Sequence, residues 1–258
     1  MTHRLIALAL ALFLSCTSYA YDAVDKVIAK QGSMPVLLTV PHDGDETLGS
    51  VGVRKKGAVA RDLGTKDLAE RTADLLEKKT GSRPYLVIAK FSRKFLDANR
   101  QEDEAQESPE TIPAYRYYHD QIAKFVAEIS AKYPDGAILI DIHGQSDDPE
   151  TIFRGSRSGL TARVLLKKFG KEALQGENSI TGVLQSKGYK VFPPVESSDL
   201  KEDRRFNGSY TVFTYGSHNP NGIDAIQLEF GKHARDKSDL PEDLAESILI
   251  FSKKYIQN

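Results

Sequence analysis

The sequence predicts a single α/β domain built on a mostly parallel, mixed sheet flanked by helices. Three observations carry that expectation. Short apolar runs at residues 34–40, 85–90, 136–142 and 223–230 alternate with longer amphipathic stretches, the order that joins parallel strands through crossover helices. The run at 34–40 is apolar at nearly every position rather than at alternate ones, as in a strand covered on both faces. At 258 residues, with 40% hydrophobic and 28% charged, the chain has the length and apolar content for one such domain.

The chain opens with Arg4 ahead of an apolar run at residues 5–14, followed by Ser18 and Ala20 at the −3 and −1 positions of a cleavage site. This predicts a signal peptide over residues 1–20 and a mature domain over 21–258, exported to the periplasm or secreted. The run is shorter than the roughly 20 residues a membrane-spanning helix needs, so no membrane contact is expected after cleavage. A lipid anchor at Cys16 is the weaker alternative, because Phe13 stands where a lipobox usually carries Leu. Cys16 is the only cysteine. A chain that starts at Tyr21 has no disulfide, no thiol nucleophile and no thiolate ligand, so any metal must be held by His and carboxylates.

Residues 22–31 read as a short amphipathic helix, and residues 34–40 as a buried strand. A polar loop with Gly49, Gly52 and Gly57 leads to a helix over 66–79, with Leu68, Ala69, Ala73, Leu75 and Leu76 at helical spacing and Thr65 or Asp67 as its cap. A strand follows at 85–90. The acidic tract 101–110 reads as a solvated loop. Pro113 starts a long helix to Lys132, with Tyr117, Ile122, Phe125, Val126 and Ile129 as its buried stripe. The turn Pro134-Asp135-Gly136 opens the strand 136–142. Two helices are expected within 154–169 and 177–187, then a strand at 189–192. The segment 207–216 leads through a turn at 219–222 to the strand 223–230, and residues 241–256 form a closing helix.

Net charge is −1, from 35 Lys and Arg against 36 Asp and Glu, which carries neither a nucleic-acid footprint nor a polybasic membrane patch. The chemistry lies at strand ends, where an open α/β sheet presents residues to a crevice. His42 and His143 each follow an apolar strand, and each has a Gly within two residues. Neutral imidazole is a good zinc ligand, and a catalytic zinc takes three protein ligands. Either His alone could equally bond a backbone carbonyl. The third ligand is open at this point. Asp45 stands at His-x-x-acid spacing from His42, with Asp43 and Glu46 beside it, and Asp62 is the distant alternative, whose plainer role is to start a helix. Asp141, two before His143, points to the same side of its strand and can orient the imidazole. Asn99 and Arg100, with Arg93 in the same loop, offer donors for a substrate carboxylate. Glu229, near the end of the last strand, is the candidate general base, unless it pairs with Lys232 or Arg235. The expected partner is a small molecule or short peptide bearing a carboxylate.

Several segments occur in an order that resembles the N-formylglutamate amidohydrolase family. They are Pro41-His42-x-Gly44, Ser92-Arg93 with Asp97-x-Asn99-Arg100, Leu139-Ile-Asp141-x-His143-Gly144, Gly208-Ser-Tyr210 and Ala225-Ile-Gln-Leu-Glu229. That family is similar in fold to the zinc carboxypeptidases, a phosphorylase/hydrolase-like architecture. The resemblance implies a zinc-dependent amidohydrolase. In it His42 and His143 match the metal histidines, Asn99 and Arg100 match a carboxylate-gripping pair, and Glu229 matches the catalytic Glu. Two departures stand out. Thr47-Leu48 replaces a Pro that relatives often carry, and relatives frequently lack an acid at the position of Asp45, which raises the standing of Asp62. Export is unexpected for formylglutamate breakdown, a cytoplasmic pathway, so the resemblance leaves room for another N-acyl amino acid, a peptide or a cell-wall fragment. The rivals are a carboxypeptidase-like peptidase and an exported binding protein that keeps the fold without the chemistry.

Overall fold

Val36–Val40 (β2) is buried at all five positions, as a strand covered on both faces must be. In the computed structural model, which describes residues 21–256, it lies inside a seven-stranded sheet. The expected signal peptide and Cys16 fall outside the described residues. In chain order the elements are β1 (Val27–Lys30), β2, α1 (Thr65–Thr80), β3 (Tyr85–Ala89), α2 (Glu102–Ala105), α3 (Ile112–Lys132), β4 (Ile138–Gln145) and β5 (Thr151–Gly155). They continue with α4 (Arg163–Phe169), α5 (Glu172–Gln175), α6 (Ile180–Ser186), β6 (Lys190–Phe192), α7 (Tyr210–Tyr215), β7 (Asp224–Gly231), α8 (Lys232–Arg235) and α9 (Leu240–Tyr255).

The sheet order is β1-β3-β2-β4-β7-β5-β6. The central strands β3, β2, β4 and β7 run parallel, while β1 and β5 are antiparallel to their inner neighbours. One face packs on α1, α4, α6 and α9 through Leu68, Leu76, Leu165, Leu184, Leu244 and Phe251. The other packs on α3 and α7 through Ile122, Phe125, Ile129 and Val212. The fold is therefore a single α/β domain with a mixed sheet between helical layers, as the alternation of runs predicts. The register matters most at β4 and β7, where His143 is paired with Glu229.

The departures from the sequence reading have physical causes. Residues 22–31 are not a helix: after one turn of 3-10 helix the chain becomes β1, because the open edge of β3 offers it a ladder from Val27↔Ala89 to Lys30↔Leu86. The acidic tract contains the short α2, and α7 folds where only a lead into the last strand is expected. The largest miss is β5. Arg154 reads as the start of a helix, yet it sits in mid-strand and is 1% exposed. Its charge is hidden by Glu202, whose carboxylate also accepts from Ser156 N, Ser156 Oγ and Ser158 N. A buried pair broken on one side leaves an uncompensated charge. Glu202→Gln is expected to lower unfolding stability by about 3–5 kcal/mol, read as the midpoint shift in urea. A shift within error would mean that the pair does not hold the 193–209 loop down.

Candidate metal centre

β2 ends at Val40, so Pro41 and His42 leave the sheet at its carboxyl edge. Gly44 lets this segment press against the next loop: a Cβ there would run into the backbone of Lys90 and Phe91. Bridges Gly44↔Ser92 and Glu46↔Phe91 tie the two segments together. The chain then returns to His42, with Asp62 N donating to His42 O at 3.1 Å. Asp43 fixes that return. Its carboxylate accepts from Arg61 Nε and from Lys66 N, the latter in the first turn of α1, both at 2.7 Å.

These constraints bring three ligand atoms together. His42 Nδ1 and His143 Nδ1 are 3.1 Å apart, and Asp62 Oδ2 lies 3.4 Å from the first and 3.2 Å from the second. All three residues are buried. The far nitrogens are held by carboxylates: His42 Nε2 lies 2.6 Å from Asp97 Oδ1, and His143 Nε2 lies 2.9 Å from Asp141 Oδ2. An ionised carboxylate only accepts, so each Nε2 carries a proton and each ring is fixed with its Nδ1 edge turned inward. Two Nδ1 atoms and a carboxylate oxygen facing one point call for positive charge among them, a proton in the metal-free protein or a cation in its place. The electrostatics agree. Burial would lower His143, but the charges of Asp141 and Glu229 and hydrogen bonds to Asp141 and Asp62 hold its pKa well above the usual value. Burial would raise Asp62, but hydrogen bonds from His143 and His42 outweigh it and hold the carboxyl well below its usual range. The donor set therefore fits a divalent ion of the kind that His and carboxylate select.

The alternatives for the third ligand separate in space. Asp62 is in the cluster. Asp45, with a side chain 72% exposed, turns outward to Arg61. Asp43 serves α1, and Glu46 pairs with Lys26 and Lys90.

Asp97, two residues before Asn99, shows its role only in the structure. Burial would raise its carboxyl, but the His42 charge and hydrogen bond, with Arg93, hold it well below its usual range. Arg93 Nε donates to Asp97 Oδ2 at 3.0 Å, and its Nη1 stands 3.7 Å from Asp62 Oδ1. Arg54, also buried, supports this loop by donating to Arg93 O at 3.2 Å. From behind, His119 Nε2 donates to Ala98 O at 2.9 Å, and burial pushes its pKa down to about 4, so it acts as a neutral strut. Because Asp97 sets the direction of the His42 ring, Asp97→Asn is expected to weaken zinc binding about 10–100-fold. Titration with a competing chelator checks this, and unaltered affinity would remove the orienting role.

Asn99 needs correction as a substrate clamp. Its amide oxygen accepts from Thr211 N and Thr211 Oγ1 at 2.8 and 2.9 Å, and its Nδ2 donates to Ser209 Oγ. It is 3% exposed, and both ends of the amide are spent on the protein. Arg100 has a half-exposed side chain, with Nε 3.9 Å from Asp97 Oδ2. Of the three donors read from the sequence, Arg93 is paired with Asp97, Arg100 is half-exposed beside it, and Asn99 is engaged within the protein.

Asn99 begins a directed chain of hydrogen bonds. Ser209 Oγ donates to Gln227 Oε1, and Gln227 Nε2 donates to Glu229 Oε1 at 2.8 Å. Gln227 is two residues before Glu229 and so shares its face of β7, a period-two signal the sequence reading left unused. Glu229 itself accepts no bond from Lys232 or Arg235; Lys232 pairs with Asp236 and Arg235 donates to backbone carbonyls. Burial pushes the Glu229 carboxyl up to about 7; His143 and His42 pull it down, and Asp62 and Asp141 push it up.

No family model matches the chain, and no curated protein matches it. Solved structures do. The N-formylglutamate amidohydrolase from Ralstonia eutropha JMP134 superposes with a TM-score of 0.61 at 15% identity, covering 89% of this chain and 98% of that one. A gene product from Agrobacterium tumefaciens gives a TM-score of 0.57 at 16% identity, over 88% and 94% of the two chains. At such identities the likeness shows the fold, which is that of the family the motifs resemble.

Proposed function

We propose that the chain is an exported, zinc-dependent amidohydrolase that cleaves the C–N amide of an N-acyl amino acid or a similar small substrate bearing a carboxylate. The observation that carries this reading is the convergence of His42, Asp62 and His143 Nδ1 and carboxylate atoms, with Glu229 in register beside His143. The fold shared with an N-formylglutamate amidohydrolase supports the amidase class.

His42, Asp62 and His143 would hold the zinc, which when bound supplies a Lewis acid for the scissile carbonyl and makes water acidic enough to attack near neutral pH. Glu229 takes a proton from the attacking water and passes it to the amide nitrogen. The water oxygen joins the acyl carbon, the C–N bond breaks, and the amine leaves with that proton. Gln227 holds the carboxylate at this task through Oε1. Arg93 and Arg100 take the substrate carboxylate, whose negative charge complements two guanidinium groups beside the cleft. Asp97 and Asp141 keep both imidazoles turned inward.

The test is release of amine from N-acyl amino acids, and from short peptides in parallel, by protein reconstituted with zinc. Peptide release without release from any N-acyl amino acid would move the assignment to a carboxypeptidase-like enzyme. No release from either would leave a binding protein.

A further inference from the structure

The row that carries His143 and Glu229 continues past them. His143 is paired with Glu229, Glu229 with Phe153, and Phe153 with Phe192, a straight line across β4, β7, β5 and β6. Paired residues leave a sheet on the same face, so the histidine, the carboxylate and two phenylalanines stand side by side. The chain after β6 folds back over this line. At Gly155 it comes so close that a Cβ would run into the backbone of Phe206, Asn207 and Gly208. This places the Phe206 ring on Phe153, 4.6 Å between centroids, with Phe192 6.0 Å from Phe153. Three residues later Ser209 bonds Gln227, which fixes the same segment beside Glu229.

The two sides of the candidate centre therefore differ in character. Towards β2 and β3 lie the guanidinium groups of Arg93 and Arg100. Towards β5 and β6 lies an aromatic wall. Phe153 is 5% exposed and forms its base, Phe192 is 37% exposed, and Phe206 is half-buried. Arg205, held by Asp203 and Asp147, lies 5.0 Å from the Phe206 ring centre and marks the outer end.

We propose that Phe153, Phe192 and Phe206 form the acyl subsite, and that the substrate is an N-acyl amino acid whose acyl group carries a phenyl or similarly sized apolar group. This rests on the hydrolase reading and sharpens it. With the carboxylate of the amino acid on the arginine side, the acyl group extends past Glu229 towards the rings. A formyl group has a single hydrogen there and would leave the wall uncovered, whereas a ring stacked on Phe206 removes apolar surface from water on both partners.

The experiment compares matched N-formyl, N-acetyl and N-phenylacetyl glutamates with zinc-loaded protein. The expected kcat/KM for the phenylacetyl compound exceeds that for the acetyl compound at least about tenfold, and the ratio falls about tenfold in Phe206→Ala. If that variant does not fold, Phe206→Leu and Phe192→Ala are read the same way. A ratio near one, a preference for formyl, or a ratio that none of these variants alters would overturn the subsite while leaving the hydrolase in place. Calorimetry on zinc-loaded Glu229→Gln separates the two ideas. Binding of the phenylacetyl compound about tenfold more tightly than the formyl compound, in a protein whose wild type hydrolyses neither, keeps the subsite and removes the hydrolase. Equal binding removes the subsite.

Discussion

Protein reconstituted with zinc is expected to hold one ion per chain, and His42→Ala, Asp62→Ala and His143→Ala are each expected to lose it. Hydrolysis is expected to fall in each variant by at least about a thousandfold, because several kcal/mol of Lewis-acid assistance would go with the metal. The expectation follows from how the three atoms are held. The Nδ1 atoms face each other at 3.1 Å, and Asp62 Oδ2, steadied by the Gly144 N–H at 3.1 Å, closes the triangle. Removing one ligand also strands its support. His42→Ala leaves Asp97 facing the gap, although Arg93 still pairs with it; His143→Ala leaves Asp141 with Thr39 Oγ1. Folding of each variant is therefore checked by circular dichroism before metal is counted. Asp45→Ala is the informative contrast, since its carboxylate pairs with Arg61 at the surface, and it should bind zinc as the wild type does. Inductively coupled plasma spectrometry on the four variants decides the matter. Zinc retained in Asp62→Ala and lost in Asp45→Ala would reverse the ligand assignment.

The contrast between Asp62 and Asp45 shows what the sequence could and could not supply. The two histidines were legible because each ends an apolar strand, and the strand order makes those ends neighbours. The third ligand was not, because Asp62 lies 20 residues beyond His42 across an irregular loop, and its position depends on Asp62 N bonding His42 O and on Asp43 pinning the start of α1. No spacing rule encodes a loop of that kind. Asn99 misled for a related reason: an amide beside an arginine looks like a donor for a ligand, and only the packing of Thr211 and Ser209 shows it to be engaged. At the level of the fold, the central strands were legible through their continuous apolar runs. The edge strands β1 and β5 were not, since β1 gains its stability from pairing with β3 and β5 conceals a charge that only Glu202 neutralises. Where the local pattern and the eventual partner agree, one sequence suffices; where a distant partner decides, it does not.

Glu229→Gln is expected to retain zinc and to lose about a hundred- to ten-thousandfold in kcat, the range for removal of a general base. The substitution is nearly isosteric, and its amide oxygen can still accept from Gln227 Nε2, so the metal ligands and the Asn99–Ser209–Gln227 chain stay as they are. What disappears is the ability to carry a proton from water to nitrogen. A second readout needs no substrate. In the metal-free protein the Glu229 pKa is pushed up to about 7, above the ordinary carboxylate value of 4.5. Between those two pH values the native state binds more protons than the unfolded state, so stability is greatest below about 4.5 and falls as pH rises through about 7. Glu229→Gln has no charge to bury. Metal-free Glu229→Gln should therefore be more stable than the metal-free wild type at pH 8 by about 1–3 kcal/mol, with the difference vanishing near pH 4.5. Bound zinc favours the ionised carboxylate and should shrink the gap, because a nearby dication offsets the cost of burying that charge. Urea unfolding of both proteins at the two pH values, with and without metal, measures all of this. A variant that turns over at the wild-type rate would take the proton-transfer role from Glu229. One that is inactive yet no more stable at pH 8 would keep the role and show that the carboxylate is not held at an energetic disadvantage.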